Sequence, residues 1–300
     1  MKSRMPAFIF RATSFLLVTF LFCYCNQPEK REQTKPSSTV KDTTVAAPAP
    51  KREPVTISYH KVKTKEWMKK NGKDSMTEIL VAVNRTDSTH ILLLDFIIIP
   101  GSYSEEQLHY FNYPLTVPYL KDIPKIIFFS YLTQSFGAYE KGELVYSGPV
   151  NMGRKKDPTP TGLFFTNWKA EQTTSTFNDE WDLRWNFNIK NKDGIGWHQY
   201  AMPGYPASHS CLRLLEKDAR YLYGWADQWI LDKVENVKAN GTPVIIFGAY
   251  PFGQKRPWLK LADDPHALDI TPAIIQEQVE PFLSEIKKQQ QRRDSVLATR

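Results

Sequence analysis

The chain has 300 residues, with 39 Lys and Arg against 32 Asp and Glu and a formal charge of +7. Lys2, Arg4 and Arg11 carry three of those charges; the rest is only mildly basic, with no Lys/Arg stripe of the kind a nucleic acid needs, so nucleic acid is not an expected partner. Three cysteines (Cys23, Cys25 and Cys211) exclude a zinc ribbon, and exclude a disulfide framework unless Cys211 reaches back to the N-terminus.

Lys2 and Arg4 precede an apolar stretch interrupted by Arg11. From Ala12 the uninterrupted run is about a dozen residues, short for a bilayer span and suited to a secretory signal. Residues 26–54 are polar and rich in Pro, Thr and Lys, a composition that builds no core and reads as a linker. The expectation is a signal over 1–25, a tether with a mean reach of about 30 Å, and an exported protein of the periplasm or cell envelope. An apolar run ending at a cysteine before a polar tether resembles a bacterial lipoprotein signal, with Cys25 as the lipidated residue and a membrane anchor as the consequence. Phe22 and Tyr24 depart from that pattern, and ordinary cleavage or an uncleaved anchor are the alternatives.

Residues 55–122 read as a small N-terminal subdomain. "VTISY" is strand-like, "LLLDFIIIP" is apolar and β-branched up to Pro100, and "SYSEEQLHYF" has the Ser-x-x-Glu/Gln start of a short helix. "EILVAVNR…LLLDFIIIP" is similar to the second half of a LysM peptidoglycan-binding module, but the first half is missing.

Residues 123–250 change character. Lys125–Tyr131 is apolar and aromatic, and "FGAY" and "ELVYSGPV" flank Glu140-Lys141-Gly142, a hairpin turn. "PTPTGLFF" opens a strand, the stretch around Trp168, Trp181 and Trp185 is aromatic and polar, and "NKDGIGWHQY" is a turn and a strand that ends at His198. "LEKDARYLYGWADQWILDKV" has helical spacing, and "GTPVIIFG" is a last strand. Residues 251–300 form an extension with a charged C-terminal helix over 272–298. The body is therefore mainly β with one strong helix after Cys211.

The stretch "HQYAMPGYPASHSC", His198 to Cys211, holds the chemistry. A thiolate is the nucleophilic form of cysteine and needs a base or cation beside it. A strand end at His198 and a helix start at Cys211, joined by a Pro/Gly-rich loop, would bring the two together, and the helix N-terminus would stabilise a thiolate. Arg213 suits an anionic substrate group. Two other readings stay open on the residues alone: a buried cysteine acting as a small hydrophobe, and a metal site from His198, His209 and Cys211.

"PGYPASHSCLRL" resembles the signature of L,D-transpeptidases of the YkuD family: a His, a spacer, then Ser/Thr-His-Gly-Cys and an Arg or Asn. The strands from "IFFSYLTQSFGAYEKGELVYSGPVNMG", "PTPTGLF" and "GTPVIIF" follow in the family's order, covering Ile123 to Gly248. The resemblance implies a β-sandwich-like catalytic domain within a mainly β (α+β) fold, with one helix following the catalytic Cys. It implies Cys211 as nucleophile, His198 as base, His209 shaping the pocket, Ser208 and Ser210 in the site and Arg213 binding substrate. The reaction implied is attack on a peptidoglycan tetrapeptide stem, release of D-Ala and transfer of the acyl group from a thioester, with no cofactor and no metal. Water as acceptor, or a non-catalytic peptidoglycan-binding lipoprotein, are the alternatives. Ser210 stands where the family has Gly, a position that favours positive φ. Either its backbone is ordinary or the site is modestly strained.

Overall fold

A computed structural model describes residues 52–174 and 182–299. The signal, most of the linker, Cys25 and Trp181 lie outside the described residues. In chain order the elements are β1 (Tyr59–Lys63), α1 (Thr64–Asn71), α2 (Glu78–Val83), β2 (Phe96–Pro100), β3 (Ile126–Ser130), β4 (Ser135–Glu140), β5 (Glu143–Pro149) and β6 (Gly162–Phe165). They continue with β7 (Lys169–Thr174), β8 (Asp182–Lys190), β9 (Ile195–Gln199), β10 (Leu212–Leu214), α3 (Glu216–Trp225), β11 (Ile230–Leu231), β12 (Val237–Ala239), β13 (Pro243–Phe247), α4 (Pro272–Val279) and α5 (Leu283–Ala298).

Two sheets make the frame, ordered β5-β4-β3-β13-β6 and β10-β9-β8-β7, with β1-β2 and β11-β12 as separate pairs. Only β13 on β3 and β10 on β9 run parallel; the other neighbours are antiparallel. Strand β3 reads Ile-Ile-Phe-Phe-Ser, apolar on both faces, because both faces are covered. Ile127 and Phe129 pack with Phe187, Trp197, Leu212 and Leu214 of the four-stranded sheet and Leu222 of α3. Ile126 and Phe128, on the opposite face, pack with Ile57, Tyr59, Val83, Ile98, Phe111, Trp258 and Ile275. The chain on either side of the two main sheets thus shares one core with the five-stranded sheet. Burying a side chain of that size is worth roughly 1.5–3 kcal/mol.

The β4–β5 hairpin turns at Lys141 and Gly142, with φ of 48° and 87°. Two consecutive positive-φ residues give the turn whose twist matches antiparallel strands. Several expectations move. "VTISY" forms a strand only from Tyr59, and "LLLDFIIIP" only over Phe96–Pro100, the five residues that β1 pairs. "SYSEEQLHYF" forms a single 3-10 turn over Gln107–Tyr110. The C-terminal helix is two, broken by a turn around Pro281, which has no N–H to continue the ladder. The helix expected at Cys211 starts later, at Glu216, because Leu212–Leu214 pairs with β9 as a strand first. The cysteine therefore has no helix N-terminus beside it.

Candidate active site

Strand alternation sorts the side chains of the four-stranded sheet between core and cleft. On β9, Trp197 faces the core and His198 faces away; on β10, Leu212 and Leu214 are buried and Arg213 faces away. The parallel register pairs Leu212 with Trp197 and Arg213 with His198. Cys211, one residue before the strand, falls beside Gly196 on the cleft face. His198, Cys211, Arg213, Ser208 and His209 all line one cleft of about 630 Å³, measured to its open mouth. Trp168, Thr173, Thr174 and Leu183 of the β7–β8 side close it opposite them. Of the described tryptophans, Trp168 lines the cleft. Trp185 packs against Tyr223 and Arg220, and Trp197 lies in the core.

His198 is 4% exposed, and its Nδ1 lies 3.0 Å from the Gln199 carbonyl. A carbonyl only accepts, so Nδ1 carries the proton and Nε2 is the basic nitrogen. Burial lowers its pKa to about 4, with help from the Arg213 charge and against the Gln199 hydrogen bond. The imidazole is neutral at neutral pH. The Cys211 pKa is raised: burial dominates the Gly196 N–H and the Arg213 charge, which act the other way. At rest Cys211 is thus a thiol, its Sγ 3.8 Å from the Gly194 carbonyl, and His198 is a neutral imidazole in the same cleft.

His209 is exposed at the rim of the cleft, with Nε2 4.0 Å from the Asp157 carboxylate. Its pKa is lowered, by burial first and then by Arg154. The two histidines of the motif therefore occupy opposite environments. The Arg213 guanidinium lies 4.6 Å over the Tyr200 ring and donates to the Ala201 carbonyl at 3.4 Å.

The loop between His198 and Cys211 is held at many points. Ser208 donates from Oγ to the Cys211 carbonyl at 2.5 Å, and its N–H reaches the Met152 carbonyl at 3.1 Å. Asn151 and Arg213 exchange backbone hydrogen bonds at 2.9 Å each way. Ser210 has a φ of 80°, the strained alternative for this position. Its carbonyl accepts from Thr159 Oγ1 at 2.9 Å, and its own hydroxyl donates to the Asp157 carbonyl at 3.3 Å. Ser208 and Ser210 thus make their contacts with protein groups, as props of the loop.

A further prop comes from outside the sandwich. The Met202 N–H donates to one Asp87 carboxylate oxygen at 2.7 Å. The Met202 carbonyl accepts from Asp87 N–H at 3.0 Å and Thr86 Oγ1 at 2.9 Å. The other carboxylate oxygen takes the N–H groups of Thr89 and His90. Burial works to raise the Asp87 pKa, but these hydrogen bonds outweigh it and the carboxyl is held low. Arg85, fully buried, donates to the Val83 and Thr133 carbonyls and lies over the Phe111 and Trp258 rings. The segment 84–87 is thereby fixed against the turn after β3.

Sequence reasoning missed Asp87, Asn151, Thr159 and two cleft residues, Asn186 and Asn188. Asn186-Phe187-Asn188 does carry a signal, a polar-apolar-polar alternation on a strand with one buried face. The others sit in loops, where no period marks them.

Residues 124–246 match the family model for the L,D-transpeptidase catalytic domain, YkuD. Among solved structures, the chain is similar to an L,D-transpeptidase from Stackebrandtia nassauensis, with 24% identity over 42% of this chain and 57% of that one and a TM-score of 0.35. It is also similar to one from Xylanimonas cellulosilytica, with 23% identity, 41% and 60% coverage and a TM-score of 0.33. A third, from Mycobacterium smegmatis, has 19% identity, 42% and 59% coverage and a TM-score of 0.33. The chain thus spans less than two thirds of each of these structures. No curated protein matches the chain.

Proposed function

We propose that this protein, whose residues 124–246 match the family model for the L,D-transpeptidase catalytic domain, is an exported cysteine acyltransferase acting on peptidoglycan peptide stems. The observation that carries the reading is the meeting of His198 and Cys211 in one cleft, with the imidazole neutral and Nε2 as its basic nitrogen.

In the first half-reaction Nε2 takes the Sγ–H proton as sulfur attacks the carbonyl of the amide between the third stem residue and the terminal D-Ala. The C–N bond breaks, the imidazolium returns the proton to the leaving amine, and D-Ala departs from a thioester. In the second, an acceptor amine attacks the thioester, His198 takes its proton, the C–S bond breaks and Sγ–H is restored. The raised Cys211 pKa means that the proton leaves as attack proceeds. A 3→3 cross-link or attachment to a protein is the product. The N-terminal pattern supports an envelope location, with lipid on Cys25 as the tether.

Incubation of the protein with disaccharide-tetrapeptide, read by mass spectrometry, tests this. A dimer lacking one D-Ala is the expected product. Tripeptide and free D-Ala alone would reassign the protein as an L,D-carboxypeptidase. No D-Ala release and no carbapenem adduct on Cys211 would overturn the enzyme reading.

A further inference from the structure

Two polar side chains on the β8 wall of the cleft have no role in the catalytic scheme. Asn186 and Asn188 are 4% and 2% exposed, and both line the cleft. Asn186 Nδ2 and Asn188 Oδ1 are fully shielded, and neither has a hydrogen-bond partner. Buried polar atoms are nearly always paired, and a pair left open at a cleft floor is an exception that needs a reason.

The register places these residues relative to the nucleophile. Asn188 pairs with Gly196 across β8 and β9, and Cys211 lies beside Gly196 on the other side. Asn188, Gly196 and Cys211 thus form one row across three strands on the cleft face. At about 4.8 Å per strand, Asn188 stands about 10 Å from Cys211. Gly196 keeps the intervening ground clear: a Cβ there would come within 2.3 Å of the Phe187 carbonyl, and no side chain rises between the two residues. Asn186 belongs to the same face, on the His198 side of the row, within the bulge of β8 between Arg184 and Phe187. About 10 Å is the length of roughly three residues of extended peptide.

We propose that Asn186 and Asn188 are the peptide-recognition element of the cleft, pairing a backbone amide of an extended acyl-donor peptide about three residues from the bond attacked at Cys211. One open donor and one open acceptor match the C=O and N–H of a secondary amide. A carboxylate would leave Asn188 Oδ1 unanswered, and an ammonium would leave Asn186 Nδ2 unanswered. The assignment rests on the acyl-transfer reading of the site and adds to it a minimum donor length and the groups that read it.

Leucine is nearly isosteric with asparagine and removes the open polar atoms. With disaccharide-tetrapeptide as donor, Asn188→Leu in the full chain raises KM at least tenfold and changes kcat less than threefold. Asn186→Leu moves KM in the same direction, and neither variant lowers the melting temperature. An unchanged KM in the double variant would sink the assignment. So would a fall in kcat and melting temperature together, which is the mark of a structural pair. Peptide binding to Cys211→Ala, measured by calorimetry, separates this inference from the catalytic one. There Asn188→Leu weakens the Kd at least tenfold even where D-Ala release fails; an unaltered Kd, or no binding at all, overturns it.

Discussion

The two walls of the cleft differ in how their polar groups are satisfied. On the β9–β10 wall, the His198 Nδ1, the Ser208 and Ser210 hydroxyls and the Met202 N–H all meet partners within the protein. On the β8 wall, Asn186 and Asn188 keep open atoms. A group that must hold one geometry through two half-reactions benefits from fixed neighbours, because misplacement by about 1 Å can cost about a hundredfold in rate. A group that must receive substrate needs an unmet bond, and tolerates the penalty of leaving it open until the ligand arrives. On the proposed function, the two walls divide the labour between chemistry and recognition.

The largest expected effect strikes the chemical wall directly. Cys211→Ala abolishes D-Ala release and leaves the far-UV spectrum and melting temperature of the fold intact. Residual turnover in that variant would show that the nucleophile lies elsewhere.

Asp87→Asn tests whether the chemical wall depends on its outer prop. The carboxylate serves Met202 with one oxygen and the Thr89 and His90 N–H groups with the other. An amide has one acceptor oxygen and cannot serve both. The expectation is a fall in kcat of roughly tenfold or more with KM nearly unchanged. Amide exchange over residues 200–211 should accelerate. A change in KM alone would place Asp87 on the recognition side of the comparison.

Two buried titratable groups give the pH prediction. For His198, the folded pKa is about 4 against 6.5 for the ordinary group. As pH falls from 6.5 to 4, the unfolded chain takes up a proton there that the folded chain refuses, and stability is lost. Asp218, on α3 behind the chemical wall, is raised by burial from 3.8 to about 6. Between pH 6 and 3.8 the folded chain holds a proton that the unfolded chain lacks, and stability is gained as pH falls. Each contribution is on the order of 3 kcal/mol, so the two oppose each other over nearly the same window. Asp218→Asn removes the second and leaves the first. Denaturant unfolding at pH 4 to 7 should show the variant losing up to about 3 kcal/mol more than the parent as the pH drops. Equal slopes would refute the opposition. The same His198 shift places the acid limb of kcat/KM near pH 4 rather than 6.5.

The smallest effect concerns Ser210. At a φ of 80°, a residue with a Cβ carries strain of about 1 kcal/mol that Gly would not. Ser210→Gly should therefore stabilise the fold by roughly 0.5–1 kcal/mol and keep or raise activity. A drop in activity of more than about tenfold, a threshold equal to about 1.4 kcal/mol, would make the hydroxyl a working part of the chemical wall.

Much of the fold is legible in the residue string. The alternation and β-branching of "PKIIFFSY" and "TPVIIFG" mark strands because side chains on a strand alternate between faces. Lys141-Gly142 marks its turn because few residues tolerate positive φ. The misreading at Cys211 has an equally physical origin. Leu212-Arg213-Leu214 is too short to show a strand period, and the helical spacing that starts at Leu215 gives no sign of the strand that separates Cys211 from the helix. The strand exists because β9 offers a free edge, a fact that belongs to the sheet and not to those three residues.

The candidate reactive groups can be named from the chain alone. Cys211 is the one cysteine beyond the N-terminal segment, and His198 and His209 flank its loop. Chemistry of that kind resides in side-chain type and in short spacings, which a linear string preserves. Packing decides the rest. The burial that neutralises His198, the prop from Asp87 and the row of Asn188, Gly196 and Cys211 each join segments distant along the chain. Such meetings are set by sheet register and by what covers each face. Those are properties of the assembled core, which no local stretch of residues contains.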